Sequence, residues 1–267
     1  MRRKSDCLAL APIWLLAVMA DTACAGDVIF ADGFPDPGPG PTRSCSVAPD
    51  ADGFFVLTSS KSSYVVRLPP AYDVANPKPT RLLVALKGCG DTAANFARWA
   101  AVPPALRATQ DYIAISVGGR DGACWSNGVD APIITAAVDD VRSCFYVHQS
   151  HVVLGGYSDG GDFAYQIGMT NALTYAGLLI EKGTLSNAVG PANVDATLTA
   201  AAWKLNVGHT AGVLDDSYPI SLSRSDINKM ENDGFPVHYL ETSDNHDGTS
   251  DDWSGFLLPL MGSWSTP

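Results

Sequence analysis

Between Phe54 and Thr242 the chain alternates short apolar runs with segments of helical period. "RLLVALKG" (Arg81–Gly88), "YIAISVGG" (Tyr112–Gly119) and "HVVLGG" (His151–Gly156) are apolar on consecutive positions and end in glycine, as strands buried on both faces do. "YAGLLIEKG", "KLNVGHT" and "VHYLETS" continue the series toward the C-terminus. Ahead of them, "FFVLTSSKSSYVVRLP" places two β-rich runs around Ser60-Lys61-Ser62 and predicts a hairpin. Helical signals fall between the strands, at "TAANFARWA", at Ala131–Val147 with Pro132 in its first turn, at Gly160–Met169, at "SLSRSDINKMEND" and at "WSGFLLPLM". Strands alternating with helices predict an α/β domain whose central sheet is mostly parallel, with an antiparallel start and helices on its flanks.

The ends of the chain read differently. "MRRK" supplies positive charge, "CLALAPIWLLAVMA" is apolar, and "ACA" offers small residues for cleavage before Gly26. Residues 1–25 are therefore expected to be a signal peptide cleaved near Ala25, which sends the protein to the periplasm or outside the cell. The apolar run is short for a membrane span, so none is expected in the mature protein. Residues 26–44 include "DGFPDPGPGPTRS", a Pro/Gly-rich stretch that reads as an extended leader. The folded domain is expected over 45–267, without a repeat or second linker.

The chain has 267 residues, 46% hydrophobic, and a formal net charge of -11. That balance supports a substantial core and argues against nucleic acid or an anionic membrane surface as a partner. Of six cysteines, Cys7 and Cys24 fall in the signal segment. Cys45, Cys89, Cys124 and Cys144 remain, an even number that suggests two disulfides in any of three connectivities. Zinc is the rival reading, but no CxxC spacing supports it. The acid-rich "DNHDGTSDD" does not match a calcium-loop pattern. No metal or cofactor is expected.

The chemistry centres on "LGGYSDGGDF", where Gly156-Tyr157-Ser158-Asp159-Gly160 spells G-x-S-x-G. A serine between glycines also suits an ordinary turn. Here a predicted strand precedes it and a predicted helix follows, which is the setting of a nucleophile elbow. A serine hydroxyl needs an imidazole to take its proton and an acid to orient that imidazole. When the partners follow the serine on loops after later strands, Asp215 in "AGVLDDSYP" and His246 in "SDNHDG" fit. Asp216 and Asp244 are alternative acids. Of five histidines, His209 is the competing base, His148 and His151 precede the serine strand, and His238 lies within a strand.

This combination resembles the secreted α/β-hydrolases related to polyhydroxybutyrate depolymerases and feruloyl or acetylxylan esterases. Their H-G-C-x-Q segment, C-W pair, G-x-S-x-G elbow, D-x-x-x-P acid loop and late histidine loop match "KGCGDTAANFARWA", "CWSNG", "GYSDGG", "DDSYP" and "NHDG". The likeness spans roughly residues 55–255 and implies the α/β-hydrolase fold. It favours Asp215, four residues before Pro219, as the acid. It implies a Cys89–Cys124 disulfide, which leaves Cys45 with Cys144. It also implies an oxyanion hole from the backbone N–H groups of Cys89 and Asp159.

Two positions depart from the family pattern. Lys87 stands where the family has histidine, and Asp159 stands where a small residue usually follows the nucleophile. A carboxylate beside an oxyanion hole opposes the developing negative charge, and a Lys87–Asp159 pair would offset it. Trp99, Trp125, Tyr157 and Trp253 lie near the candidate loops, as an aromatic substrate cleft or as ordinary core. The leading reading is a secreted serine esterase, monomeric, acting on small-molecule or polymeric carboxylic esters. The substrate would be a polyester such as polyhydroxybutyrate, or an aryl or feruloyl ester. The alternatives are a non-catalytic hydrolase-like binding protein and a serine peptidase on the same fold.

Overall fold

The computed structural model describes residues 36–120 and 123–267. The segment read as a signal peptide and the first part of the leader lie outside the described residues. Eight strands form one sheet in the order β1-β2-β4-β3-β5-β6-β7-β8. Strands β1 (Phe54–Thr58) and β2 (Ser63–Arg67) make the expected hairpin, with Phe54 opposite Arg67 and Thr58 opposite Ser63. β2 runs antiparallel to β4 (Ile113–Val117), and from there every pairing is parallel. The remaining strands are β3 (Thr80–Leu86), β5 (Val147–Tyr157), β6 (Gly177–Glu181), β7 (Asn206–Gly212) and β8 (Val237–Thr242).

The continuous apolar runs are explained by a core on each face. Leu82, Val84 and Leu86 of β3 belong to one buried layer, while Leu83 and Ala85 belong to the other. Adjacent residues of a strand point to opposite faces, so a strand covered on both sides has no polar alternate. The first layer is covered by helices α2 (Asn127–Cys144), α3 (Asp159–Thr170), α5 (Val194–Ala200) and α6 (Ile220–Asn232). The second is covered by α1 (Ala93–Phe96), which continues into a wider turn at Ala97–Ala101, and by the C-terminal turns from Trp253 to Trp264.

Helix α2 starts and ends earlier than the expected Ala131–Val147. Ser126 opens it: its carbonyl accepts from the N–H of Asp130 at 2.8 Å, and the Asp130 carboxylate accepts the Ser126 N–H at 2.8 Å. Pro132 consequently sits inside the helix rather than in its first turn. Val147 opens β5 instead, pairing with Thr80. Helices α4 (Leu185–Val189) and α5 have five and seven residues. Both are too short to register as a helical period.

Asp36–Pro267 forms one compact unit. The Pro37 carbonyl accepts the Gln149 N–H at 2.9 Å, and Arg43 pairs with Asp140 at 2.5 Å. Two disulfides join Cys45 to Cys144 and Cys89 to Cys124. The first closes a separation of 99 residues, tying the segment before β1 to the end of α2. The second ties the loop after β3 to the loop after β4. Replacing Cys89 and Cys124 together by alanine is expected to cost about 2–4 kcal/mol of stability. Urea unfolding of oxidised protein checks this, and a loss below about 0.5 kcal/mol would contradict it. No helix among the described residues is long and apolar enough to cross a membrane.

Candidate active site

The elbow is built by glycine. β5 ends at Tyr157, α3 begins at Asp159, and Ser158 between them has φ 55° and ψ -126°. A non-glycine residue there carries roughly 1–3 kcal/mol of strain, tolerated only when the surroundings hold it. Two close approaches hold it. A Cβ on Gly156 would stand 2.2 Å from the Gly160 carbonyl oxygen, and a Cβ on Gly160 would stand 2.2 Å from the Leu86 carbonyl oxygen. The turn and the end of β3 are therefore packed backbone against backbone, a contact that side chains at either position would prevent.

The sharp turn lifts the Ser158 side chain clear of the sheet. Its Oγ lies 2.8 Å from His246 Nε2, and His246 Nδ1 lies 2.8 Å from the Asp215 carboxylate. The other Asp215 oxygen accepts the N–H groups of Ser217 at 2.9 Å and Tyr218 at 2.8 Å. The structure thus brings Ser158, His246 and Asp215 into one hydrogen-bonded chain. An acid held by its own loop fixes the imidazole so that Nε2 is left to receive the serine proton.

The rival residues lie elsewhere. His209 is fully buried, its Nδ1 is 2.8 Å from the Tyr165 hydroxyl, and burial pushes its imidazole down to about 3. His148 and His151 sit toward the start of β5, away from the elbow at its end, and His238 stacks near Trp264. The alternative acid Asp244 is paired with Lys182 at 3.0 Å. Asp216 is exposed and contacts Ser217.

Cys89 follows Gly88, where a Cβ would stand 3.5 Å from the Ser158 Cβ. Asp159 supplies the first N–H of α3, at the positive end of that helix. Both backbone groups therefore lie beside the nucleophile. The Asp159 carboxylate accepts the Trp125 N–H at 2.6 Å. Lys87 is buried, donates to the Ala123 carbonyl at 2.8 Å and lies 5.6 Å from the centre of the Trp125 ring. The Asp159 carboxylate and Lys87 are thus both anchored on the same Ala123–Trp125 segment, beside the Cys89–Cys124 bridge.

The aromatic residues divide. Trp253 is 0% exposed, packs edge-on against Phe96 and donates its indole N–H to Glu181 at 2.7 Å. It is core and does not line a cleft, because the C-terminal turns fold it under the sheet. Trp125 is half-buried, stacks on Phe163 and donates to the Lys87 carbonyl at 2.8 Å. Tyr157 and Trp99 meet edge-on, and the Tyr157 ring stacks 5.5 Å from His246. Tyr218, not singled out from the sequence, also stacks on His246, nearly parallel to the imidazole at 4.9 Å.

Three further groups hold the His246 loop in place. The Tyr157 hydroxyl donates to the His246 carbonyl at 2.7 Å. Glu181, at the end of β6, accepts the Thr249 N–H at 2.7 Å. Lys182 is buried at φ 50° and binds Asp244 and the Asp247 carbonyl. "LLIEKG" carried the signal for the last two: a strand apolar on every position, ending abruptly in two charges and a glycine.

Burial pushes the Glu181 carboxyl up to about 8. The unfolded chain releases that proton at a lower pH, so this group's contribution to stability is whole below the ordinary carboxylate range and is lost as pH rises through about 8. Glu181→Gln leaves one of the two donors without its acceptor and is expected to melt below wild type at about pH 5. Between there and about pH 9 it is expected to lose less further stability than wild type does. Parallel melting curves across that range would contradict the assignment.

Among the described residues, no group of three or more His, Cys, Asp or Glu side chains could hold a metal ion.

No family model and no curated protein matches the chain. Solved structures do. A ferulic acid esterase from Anaeromyces mucronatus, in complex with ferulic acid, is 14% identical with TM-score 0.61 over 76% of this chain and 88% of its own. An S-formylglutathione hydrolase from Staphylococcus aureus is 15% identical with TM-score 0.60 over 76% and 93%. Dipeptidyl peptidase 4 from Porphyromonas gingivalis is 12% identical with TM-score 0.55 over 72% of this chain and 32% of its own. With the single, mostly parallel sheet, these likenesses show the α/β-hydrolase fold.

Proposed function

We propose that the chain is a secreted serine hydrolase of carboxylic esters, acting through an acyl-enzyme. One observation carries the reading: Ser158 Oγ, His246 and the Asp215 carboxylate are joined by two hydrogen bonds of 2.8 Å at the end of a strained strand-to-helix turn. Ser158 attacks the ester carbonyl carbon while His246 Nε2 takes its proton. The Cys89 and Asp159 N–H groups receive the oxyanion. The carbon–oxygen bond to the alcohol breaks, and His246 returns the proton to that alcohol. Water, deprotonated by the same imidazole, then releases the acid. Asp215 stays ionised and stabilises the imidazolium.

The esterases among the structural neighbours support ester hydrolysis. The aromatic rings of Tyr157 and Tyr218 against His246, with Trp99 edge-on to Tyr157, support an aryl ester or a polyester as substrate. The two disulfides and the signal-like N-terminus support export, with residues 1–25 removed and 45–267 as the catalytic domain. A panel of p-nitrophenyl butyrate, methyl ferulate and amorphous polyhydroxybutyrate film, scored by released acid, tests the reading. Turnover of one class above the others names the substrate. No turnover of any by disulfide-intact protein favours a binding role instead.

A further inference from the structure

Tyr218 meets each member of the Ser158–His246–Asp215 chain by a different part of itself. Its backbone N–H donates to Asp215 at 2.8 Å. Its ring lies against His246 at 4.9 Å with an interplanar angle of 6°. Its hydroxyl donates to Asp162 at 2.8 Å and is near enough to the Ser158 side chain to feel it electrostatically. Asp162 is one turn into α3 from the nucleophile, and its other oxygen accepts the Thr184 N–H at 2.6 Å.

We propose, building on the serine-hydrolase reading, that Tyr218 is a positioning residue for the whole triad and that Asp162 sets which way the Tyr218 hydroxyl proton points. With Asp162 ionised, that proton goes to the carboxylate, and the Ser158 Oγ lone pair is left free for the carbonyl carbon. With Asp162 protonated, the carboxyl O–H donates to the Tyr218 oxygen. The phenol proton then turns to Ser158 Oγ and ties up the lone pair that must attack. No bond other than hydrogen bonds changes, and one proton is taken from water.

Burial pushes the Asp162 carboxyl up to about 7, against the hydrogen bonds from Thr184 and Tyr218. The titratable and charged groups that face it are Asp159 and Tyr165 on its own helix, Tyr218 on the acid loop and Asp226 on α6. Asp159 and Asp226 both raise it further. The switch therefore operates in the neutral range. The reactivity of Ser158 falls with one proton at Asp162, beyond the one that silences any general base.

The test is a double-substitution cycle on the full chain. It is read as kcat/KM for p-nitrophenyl butyrate and as the rate of Ser158 labelling by a fluorophosphonate. In labelling, the Oγ–P bond forms as P–F breaks, fluoride leaves and His246 takes the proton. Asp162→Asn keeps the acceptor for Thr184 and permanently donates to Tyr218. It is expected to slow both reactions about tenfold near neutral pH, the scale of one hydrogen bond on the nucleophile. Wild type is expected to lose activity toward acid more steeply than one proton allows, while Tyr218→Phe and Asp162→Asn each follow one proton.

The double variant is expected to be no slower than Tyr218→Phe alone, because the defect acts through the phenol hydroxyl. A tenfold defect of Asp162→Asn that persists in the Tyr218→Phe background would overturn the proposal, leaving Asp162 as a scaffold for Thr184. Wild type that neither hydrolyses the ester nor labels would overturn the serine-hydrolase reading separately. Even then, ¹³C titration of the Asp162 carboxyl reads the coupling. Its midpoint near 7 is expected to rise in Tyr218→Phe, which loses a donor to the carboxylate. An unmoved midpoint overturns the proposal.

Discussion

Replacing Ser158 by alanine is expected to lower kcat for p-nitrophenyl butyrate by a factor on the order of 10⁵–10⁶, the scale of removing the nucleophile from a serine triad. Alanine keeps the Cβ that the elbow already accommodates at φ 55°, so the variant should fold and melt like wild type. His246 keeps its bond to Asp215 at 2.8 Å and its contacts with the rings of Tyr157 and Tyr218. The residual rate is what the oxyanion donors and binding alone supply. Equal turnover by the two proteins would remove Ser158 from the mechanism. Circular dichroism and a melting curve on the same samples separate lost chemistry from lost fold.

Gly160→Ala should strongly destabilise the fold through a single methyl group. The added carbon would lie 2.2 Å from the Leu86 carbonyl oxygen and 2.3 Å from that of Lys87. Both obstacles are backbone, and β3 is paired on both sides, with β4 and β5, so neither can yield cheaply. The expected cost is about 4 kcal/mol, the upper end of single-substitution effects. Urea unfolding reads it, and a loss below about 1 kcal/mol would show that the two segments separate easily. Any molecules that remain folded must have moved α3 away from the Lys87–Cys89 loop. That pulls the Asp159 and Cys89 N–H groups apart, so kcat should fall with stability.

The two substitutions bear on the same local feature and illustrate how much of it was legible. "GYSDGG" between an apolar strand and a helical period predicted the turn, because glycine flanking a serine at that junction has a backbone reason to be there. The order of Asp215 and His246 along the chain matched the resemblance, and the geometry joins them to Ser158. Helix α2 starts several residues before the position that Pro132 marks as a helix opener, because the Ser126–Asp130 pair forms the first turn ahead of it. Trp253 is near His246 in sequence, yet it packs in the core against Phe96 and Glu181. Nearness along a chain does not say which face of a sheet a side chain reaches.

The sequence by itself determined the architecture: short apolar runs ending in glycine, spaced by helical periods, fit strands covered on both faces by the intervening helices. It also determined the candidate nucleophile, since the glycine-flanked serine is a local pattern. The tertiary structure alone decided what surrounds that serine. Tyr218, Asp162 and the Glu181–Lys182 pair come from a loop, a helix and a strand end far apart in the chain, and no local pattern links the three. It also decided where the Asp159 carboxylate is held, which the sequence could pose only as a conflict with the oxyanion or as a pair with Lys87. The Trp125 N–H takes it up at 2.6 Å, from a loop brought alongside by β3–β4 pairing and the Cys89–Cys124 bridge. Hydrogen bonds and burial depend on distance in space, and parallel strands separated by crossover helices bring together residues that the chain keeps far apart.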